Sequence, residues 1–348
     1  MLSLKPMRPG VHIMRQLRLP TKLGLLALVL LVPMLVVGVL LVQRVNESIR
    51  FTEAEVDGSK LVQTLSAVVG EVQKHRGQTN MLLSGDAGAR EALQATRKDL
   101  RVQLDAVEHM LAARPDFGLN AEWASLSQSL KGVASGEQTS ATESFAFHSG
   151  LIRDLRHFIY TTAERSNLLF DPDPASYFLM DTAVSHIPRW GEQLAQARGL
   201  GAGVLAQPQR DPVAVNRVGS LLSDARAATD DILGVQRFSQ KYGVTDLPGE
   251  TAAKSVQAFL LDAEQALGTP GGLDATGYFA AGTRALGAVA DYQKAVQQAL
   301  ETRLQERVAS ERRVRTLTVV AVATGLAAVI YLMPVSYTHL RAHETSLH

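Results

Sequence analysis

The chain has 348 residues, of which 46% are hydrophobic and 20% are charged, and its formal net charge is +1. A charge balance so close to zero argues against nucleic acid as the main partner, because nucleic-acid binding requires a concentrated basic surface. The sequence contains no cysteine, which excludes disulfides, thiolate nucleophiles and metal sites built on cysteine. Aromatic residues make up only 5% of the chain, a composition that favours packed helices over a strand-rich core.

An apolar segment near the N-terminus places the chain among membrane proteins. Residues 23–42 form an uncharged run of about 20 residues, long enough to cross a bilayer as a helix. Residues 1–22 carry five Lys or Arg side chains, and basic residues mark the cytoplasmic side of a span. The run is too long for a cleaved signal peptide, and no small-residue cleavage site follows it. We therefore expect a transmembrane helix with a cytoplasmic N-terminus.

Residues 317–334 form a second, shorter apolar segment, near the lower length limit for a span. Two spans on either side of residues 43–316 are the plan of a receptor with an external sensor. We expect a protein of the bacterial inner membrane with residues 43–316 in the periplasm.

The composition changes abruptly after Pro334. Residues 335–348 resemble the translation of a transposase mosaic-end sequencing adaptor, residue for residue through Glu344. We expect this tail to be an artefact that contributes nothing to the fold. For the same reason we expect no metal site at His339 and His343, although a spacing of four places both imidazoles on one helical face.

Hydrophobic residues recur at spacings of three to five through most of residues 43–316, which is the pattern of amphipathic helices. Clusters of glycine, proline and aspartate separate the periodic segments. The pattern predicts helices over residues 51–83, 89–113, 121–133, 142–169, 174–205, 213–238, 250–267 and 278–315. We therefore predict an all-α fold with an extended external helical domain.

A weak internal repeat indicates that this domain consists of two tandem up-and-down helical bundles. Residues 72–83 and 194–205 both place Arg-Gly in the middle of a predicted helix, as Arg76-Gly77 and Arg198-Gly199. Glycine inside a helix costs about 1 kcal/mol relative to alanine. We therefore expect a neighbouring helix to approach closely at both glycines.

Asp171, Asp173 and Pro174 predict a turn followed by a helix. Asp173 is a favourable N-cap residue, and Pro174 fits the first helical position, where its missing N–H costs nothing. Tyr177 and Asp181 follow on one face of that helix, four residues apart. We expect these five residues to fix the turn on a neighbouring helix and not to bind a ligand.

Three stretches resemble known sensor proteins. Residues 71–81, Glu-Val-Gln-Lys-His-Arg-Gly-Gln-Thr-Asn-Met, resemble the Gln-x-x-Arg-Gly helix of nitrate- and nitrite-sensing receptor domains, which are all-helical and built as two bundles. Residues 166–181 resemble a segment of methyl-accepting chemotaxis proteins that also occurs in some sensor kinases and diguanylate cyclases. Residues 17–23 are similar to chemoreceptor N-termini. One position departs from the nitrate-sensing pattern, because His75 stands where that family often has an acidic residue.

The resemblance implies a receptor that senses a small periplasmic ligand and passes a helix shift to a cytoplasmic chemotaxis domain missing beyond Pro334. A histidine kinase or diguanylate cyclase output is the alternative, and a ligand-free anchored scaffold is a third interpretation. We expect no cofactor and no catalytic site in this chain, and cytoplasmic partners only through the missing domain. We also expect a homodimer, with the hydrophobic stripe of residues 286–308 as a candidate contact.

Arginine side chains are the expected anchors for an anionic ligand, because the planar guanidinium binds oxyanions through two parallel hydrogen bonds. Arg76 and Arg198 occupy equivalent positions of the repeat. Arg165 precedes the proline-rich turn, and Arg189 follows Pro188. These four arginines are the candidate ligand-binding residues. The histidines show no metal-ligand spacing.

Overall fold

A computed structural model of the chain describes residues 17–83, 88–135, 140–207, 209–268 and 272–345. Within these ranges the regular structure is helical and no strand occurs, which confirms the all-α prediction. The α-helices are α1 (Leu19–Leu83), α2 (Ala89–Ala113), α3 (Asn120–Ser135), α4 (Ala141–Arg165), α5 (Pro174–Asp181), α6 (Ile187–Leu205), α7 (Pro212–Gln240), α8 (Gly249–Gly268) and α9 (Ala275–Thr345).

Some of the segments interpreted from sequence lie outside the described residues. These are residues 1–16 of the expected cytoplasmic segment, residues 346–348 of the tail, and the side chains of His339 and His343. The helix α9 continues through Pro334 to Thr345, so the change in composition after Pro334 does not coincide with a helix end.

The helices of the central region follow one another in two sets. In the first set α2 packs on α3 and α3 on α4, and in the second α6 packs on α7 and α7 on α8. The buried apolar residues of both sets nevertheless belong to one hydrophobic cluster, and residues 53–305 form one compact unit. The two bundles predicted from the repeat therefore share a single core.

Trp190 on α6 is the largest fully buried side chain of this core. Its indole Nε1 donates a hydrogen bond of 2.9 Å to the Thr229 hydroxyl on α7, and that hydroxyl donates in turn to the Ala225 carbonyl at 2.7 Å. The indole thus satisfies its one polar group inside the core while its rings fill space between the two helices.

The turn before α5 has the predicted capping geometry. The Asp173 carboxylate accepts hydrogen bonds of 3.0 Å from the backbone N–H groups of Ala175 and Ser176, and Pro174 occupies the first helical position. The Asp171 carboxylate accepts from the Asp173 backbone N–H at 2.9 Å. Both carboxylates therefore stabilise the turn, because each accepts hydrogen bonds from backbone N–H groups that have no carbonyl partner within the helix.

The sequence predicted one helix over residues 174–205. The structure instead has a π-helical segment, Thr182–His186, between α5 and α6. Pro188 lies in the first turn of α6, directly after the π segment. The irregularity thus lies just before the proline.

The hydrophobic stripe of α9 faces the core of its own chain. Leu286 is half-buried, and Val289, Tyr292, Val296, Leu300 and Leu304 are each at most 3% exposed. This finding corrects our expectation for residues 286–308, because a stripe already covered within the chain is not free to contact a second copy.

Residues 17–52 and 306–345 belong to a second compact unit. Both helices in it, α1 and α9, contain a stretch long and apolar enough to cross a membrane. Most large apolar side chains there are exposed, including Leu30 at 64% and Leu317 at 69%. The two stretches contact each other at small residues, since a Cβ on Gly38 would lie 2.8 Å from Val322. Small residues at a helix contact are typical of packing within membranes.

Candidate functional site

A cavity of about 400 Å³ lies between α1, α4, α6 and α9, within residues 53–305. Arg76 on α1 and Arg198 on α6 both line it. The repeat singled out the same two residues, so the structure brings together two side chains that are far apart in sequence. Arg165 and Arg189 are exposed and do not line this cavity.

Arg76 is held in place by a buried carboxylate. Its Nη1 and Nη2 atoms donate to the two Glu192 carboxylate oxygens at 2.6 and 3.2 Å, a bidentate arrangement. The Arg76 side chain is only 2% exposed and that of Glu192 7%. Nη1 also donates to the Ser149 hydroxyl at 2.9 Å, and the Phe145 ring lies 4.8 Å from the guanidinium carbon. The charge of Arg76 is therefore compensated inside the protein.

Arg198 is buried without such compensation. It is 8% exposed, and no ion pair of Arg198 occurs among the described residues. Its Nη1 donates to the Thr283 hydroxyl at 3.0 Å, its guanidinium lies over the Phe279 ring at 4.5 Å, and its Nε–H finds no hydrogen-bond acceptor in the part of the chain that the structure describes. Burial, together with repulsion from Arg76, lowers the pKa of the Arg198 guanidinium to about 10. A bound anion would supply the missing acceptor and counter-charge.

The glycines of the two Arg-Gly pairs line the cavity, and the close approach that we expected occurs at one of them. A Cβ on Gly77 would lie 3.8 Å from the Arg198 guanidinium, which is ordinary contact, whereas one on Gly199 would lie 3.3 Å from the Phe145 ring, which is a tight contact. A still closer approach occurs at Gly201, where a Cβ would overlap the Tyr278 phenol. That phenol donates to the Ala197 carbonyl at 3.0 Å, which fixes α9 against α6.

A buried histidine pair, which no pattern in the sequence predicted, lies next to Arg76. His75 Nδ1 and His148 Nε2 are 2.8 Å apart. The Ser144 carbonyl lies 2.6 Å from His148 Nδ1, and Arg97 Nε donates to His75 Nε2 at 3.2 Å. A carbonyl only accepts and an arginine only donates, so each ring carries its proton on Nδ1 and accepts at Nε2. Both histidines are therefore neutral in this chain of hydrogen bonds.

The histidine pair makes the stability of the protein sensitive to acid. Burial, with His148 and Arg97 nearby, lowers the pKa of His75 from 6.5 to about 3, and burial also lowers the pKa of His148. Between about pH 3 and pH 6.5 the unfolded chain therefore binds more protons than the folded chain. The free energy of unfolding rises with pH across this window. We expect the contribution of the histidine pair to the free energy of unfolding to be fully present above about pH 6.5 and to be lost as the pH drops towards 3.

Urea unfolding near pH 7 and near pH 5 checks this prediction on the unmodified protein and on His75→Gln, whose amide can still accept and donate. The unmodified protein should lose more stability between the two conditions than the variant. Equal losses would contradict the prediction, because the carboxylates that titrate in this range are the same in both proteins.

The remaining candidates play local roles. The Asp181 carboxylate lies 3.1 Å from His186 Nε2, across the π segment, and this contact lowers the pKa of Asp181 and raises that of His186. Tyr177 is 42% exposed and contacts Phe178 edge to face. Among the described residues no group of three His, Asp or Glu side chains is arranged to hold a metal ion.

Comparison with known proteins agrees with this architecture. A family model described as nitrate and nitrite sensing matches residues 67–305, well over half of the chain. Among solved structures the chain is similar to the NasR transcription antiterminator, with a TM-score of 0.59 and 19% identity over 84% of this chain and 80% of that chain. At this identity the likeness concerns the fold alone. Comparison with curated protein sequences gives no match.

Proposed function

Because the chain belongs to the nitrate and nitrite sensing family, we propose that it is a membrane receptor that binds a small oxyanion such as nitrate between Arg76 and Arg198. The observation that carries the proposal is the buried Arg198 guanidinium, which has a free Nε–H donor and no counter-charge among the described residues. Buried charges are normally paired, so an anion is the ligand that this position lacks.

The charge of the cavity selects among anions. Arg76 and Arg198 line the cavity with two positive charges, and Glu192, which does not line it, pairs with Arg76 and offsets one of them. An excess of one positive charge remains between these three residues. A monovalent oxyanion would neutralise this excess, whereas a divalent one would leave a buried negative charge. Planar oxyanions also match the fork of donors that the Arg198 guanidinium presents, whereas both Nη atoms of Arg76 already donate to Glu192.

The path of the two longest helices supports a role in signalling. Helices α1 and α9 both contribute residues to the cavity, and both carry a candidate membrane span. A ligand that binds one arrangement of these helices more tightly would favour that arrangement, and shifts of about 1–2 Å are usual in such switches. We place residues 1–22 in the cytoplasm and residues 43–316 in the periplasm of a bacterial inner-membrane protein.

The output of the receptor depends on the sequence after Pro334. A chemotaxis signalling domain is our first proposal, and a histidine kinase or diguanylate cyclase is the alternative, so that any catalysis would reside outside this chain. Long-read sequencing of the source locus across Pro334 distinguishes these outputs. The same experiment tests the adaptor origin of residues 335–348, which a genomic copy of those residues would disprove.

Anion binding is tested on the full chain in lipid nanodiscs, by calorimetry and by thermal unfolding with and without sodium nitrate. A ligand that binds only the folded state stabilises it by about 2.7 kcal/mol at a hundred times its Kd. Arg198→Gln should weaken binding roughly 10- to 100-fold, because it removes a hydrogen bond from a charged donor. Arg165→Gln, an exposed arginine outside the cavity, is the matched control and should bind as the unmodified protein does.

An anchored scaffold without a ligand is the competing interpretation. It is favoured if neither nitrate nor nitrite raises the unfolding temperature above that in an equal concentration of sodium chloride. Equal weakening by Arg198→Gln and Arg165→Gln would also count against the proposed site, because only one of these residues lines the cavity.

A further inference from the structure

The cavity is much larger than the anion that its arginines would hold. Nitrate has four heavy atoms, and a water molecule in the liquid occupies about 30 Å³. The cavity measures about 400 Å³, which falls in the range of roughly 300–1,000 Å³ that is usual for sites of larger organic ligands. Nitrate alone would leave most of this space unfilled.

The space beyond the guanidinium groups is mostly apolar, although the polar side chains of Asn80 and Thr276 also border it. It is bordered by Met81 on α1, by Ala202 and Ala206 at the end of α6, and by Ala275 and Phe279 at the start of α9. An added Cβ at Gly203, which also lines the cavity, would meet no atom of the described residues within 4 Å. The cavity therefore has a charged part at Arg76 and Arg198 and a mostly apolar part.

From this division we infer that the cavity binds an amphipathic organic monocarboxylate, with its carboxylate between Arg76 and Arg198 and its apolar body against Met81, Ala202 and Phe279. A carboxylate is planar, carries one negative charge and presents two oxygens to a guanidinium as nitrate does. An apolar body would add burial that nitrate cannot provide. The inference rests on the proposed anion site and extends it to a class of ligand.

Calorimetry on the full chain in nanodiscs tests the inference with sodium nitrate, acetate, benzoate and 3-phenylpropanoate as probes. Acetate carries the same charged group without the apolar body, and 3-phenylpropanamide carries the body without the charge. We expect the Kd of 3-phenylpropanoate to be at least about tenfold lower than the Kd of acetate and that of nitrate. The neutral amide should bind at least about tenfold more weakly than the acid.

Filling the apolar part should change selectivity. Gly203→Leu places a side chain in the open space, so 3-phenylpropanoate affinity should fall at least about tenfold more than nitrate affinity. Gly234→Leu is the matched control, because Gly234 is also inside a helix, has open space around its Cβ position and does not line the cavity. If Gly203→Leu fails to fold, Ala206→Leu at the exposed rim replaces it with the same expected change.

The outcomes separate the two proposals. Nitrate binding with no gain for 3-phenylpropanoate over acetate would overturn the inference and leave the anion site standing. An absence of binding by nitrate and by every carboxylate would overturn the proposed function itself. If 3-phenylpropanoate binding is weakened by Arg198→Gln but not by Gly203→Leu or Ala206→Leu, the apolar body of the ligand lies elsewhere and the inference is wrong.

Discussion

Replacing Glu192 with alanine is expected to lower the free energy of unfolding by about 3–5 kcal/mol, because the change leaves the Arg76 charge buried without its partner. Both side chains are nearly inaccessible to solvent, and their closest atoms are 2.6 Å apart. The Ser149 hydroxyl and the Phe145 ring remain near Arg76, but neither carries a compensating charge. Urea unfolding at neutral pH, followed by tryptophan fluorescence, measures the loss.

A double variant separates the cost of an unpaired charge from loss of packing. Arg76→Met combined with Glu192→Leu replaces the pair by apolar side chains of similar size, an exchange that is often neutral or stabilising by about 1–4 kcal/mol. We expect the double variant to be clearly more stable than Glu192→Ala. If Glu192→Ala costs less than about 1 kcal/mol, Arg76 must find water or another partner, and the ion pair does not stabilise the core.

Trp190→Ala should lower the free energy of unfolding by about 3–5 kcal/mol, the usual cost of emptying a large buried aromatic site. The indole is fully buried between α6 and α7 and donates to Thr229. The unfolding midpoint can still be followed by the fluorescence of Trp123, the other tryptophan in the sequence.

Trp190→Phe is the control for this variant. It keeps most of the apolar volume and loses the hydrogen bond, whose net contribution is about 1 kcal/mol. We therefore expect its loss of stability to be well below that of Trp190→Ala. Equal losses in the two variants would indicate that the hydrogen bond to Thr229, and not the volume of the indole, dominates at this position.

The sequence was a reliable guide to local structure. Helix α2 begins and ends where its stripe predicted, because Leu93, Leu100, Leu104 and Leu111 recur at helical spacing and are all buried. The cap at Asp173 was predictable for a similar reason, since a carboxylate followed by proline satisfies the first free backbone donors of a helix. Each of these features depends on residues only a few positions apart.

The site was predictable only in part. The repeat identified Arg76 and Arg198, but Glu192 lies 116 residues from Arg76 in sequence, and no local pattern relates the two. The pairing of His75 with His148 was missed for the same reason. A motif places an arginine on a helix, whereas the packing of helices decides whether that arginine faces a cavity. Arg165 and Arg189 illustrate the difference, because both are exposed.

The π segment Thr182–His186 determines the direction, around the helix axis, in which the side chains of α6 point. Each residue of an α-helix turns the chain by about 100°, and a π turn holds one residue more than a regular turn. Side chains after the segment therefore point in directions that a straight helix from Pro174 would not give them. Glu192 and Arg198 both lie after it on α6, so the extra residue of the π turn sets the directions in which these two side chains point.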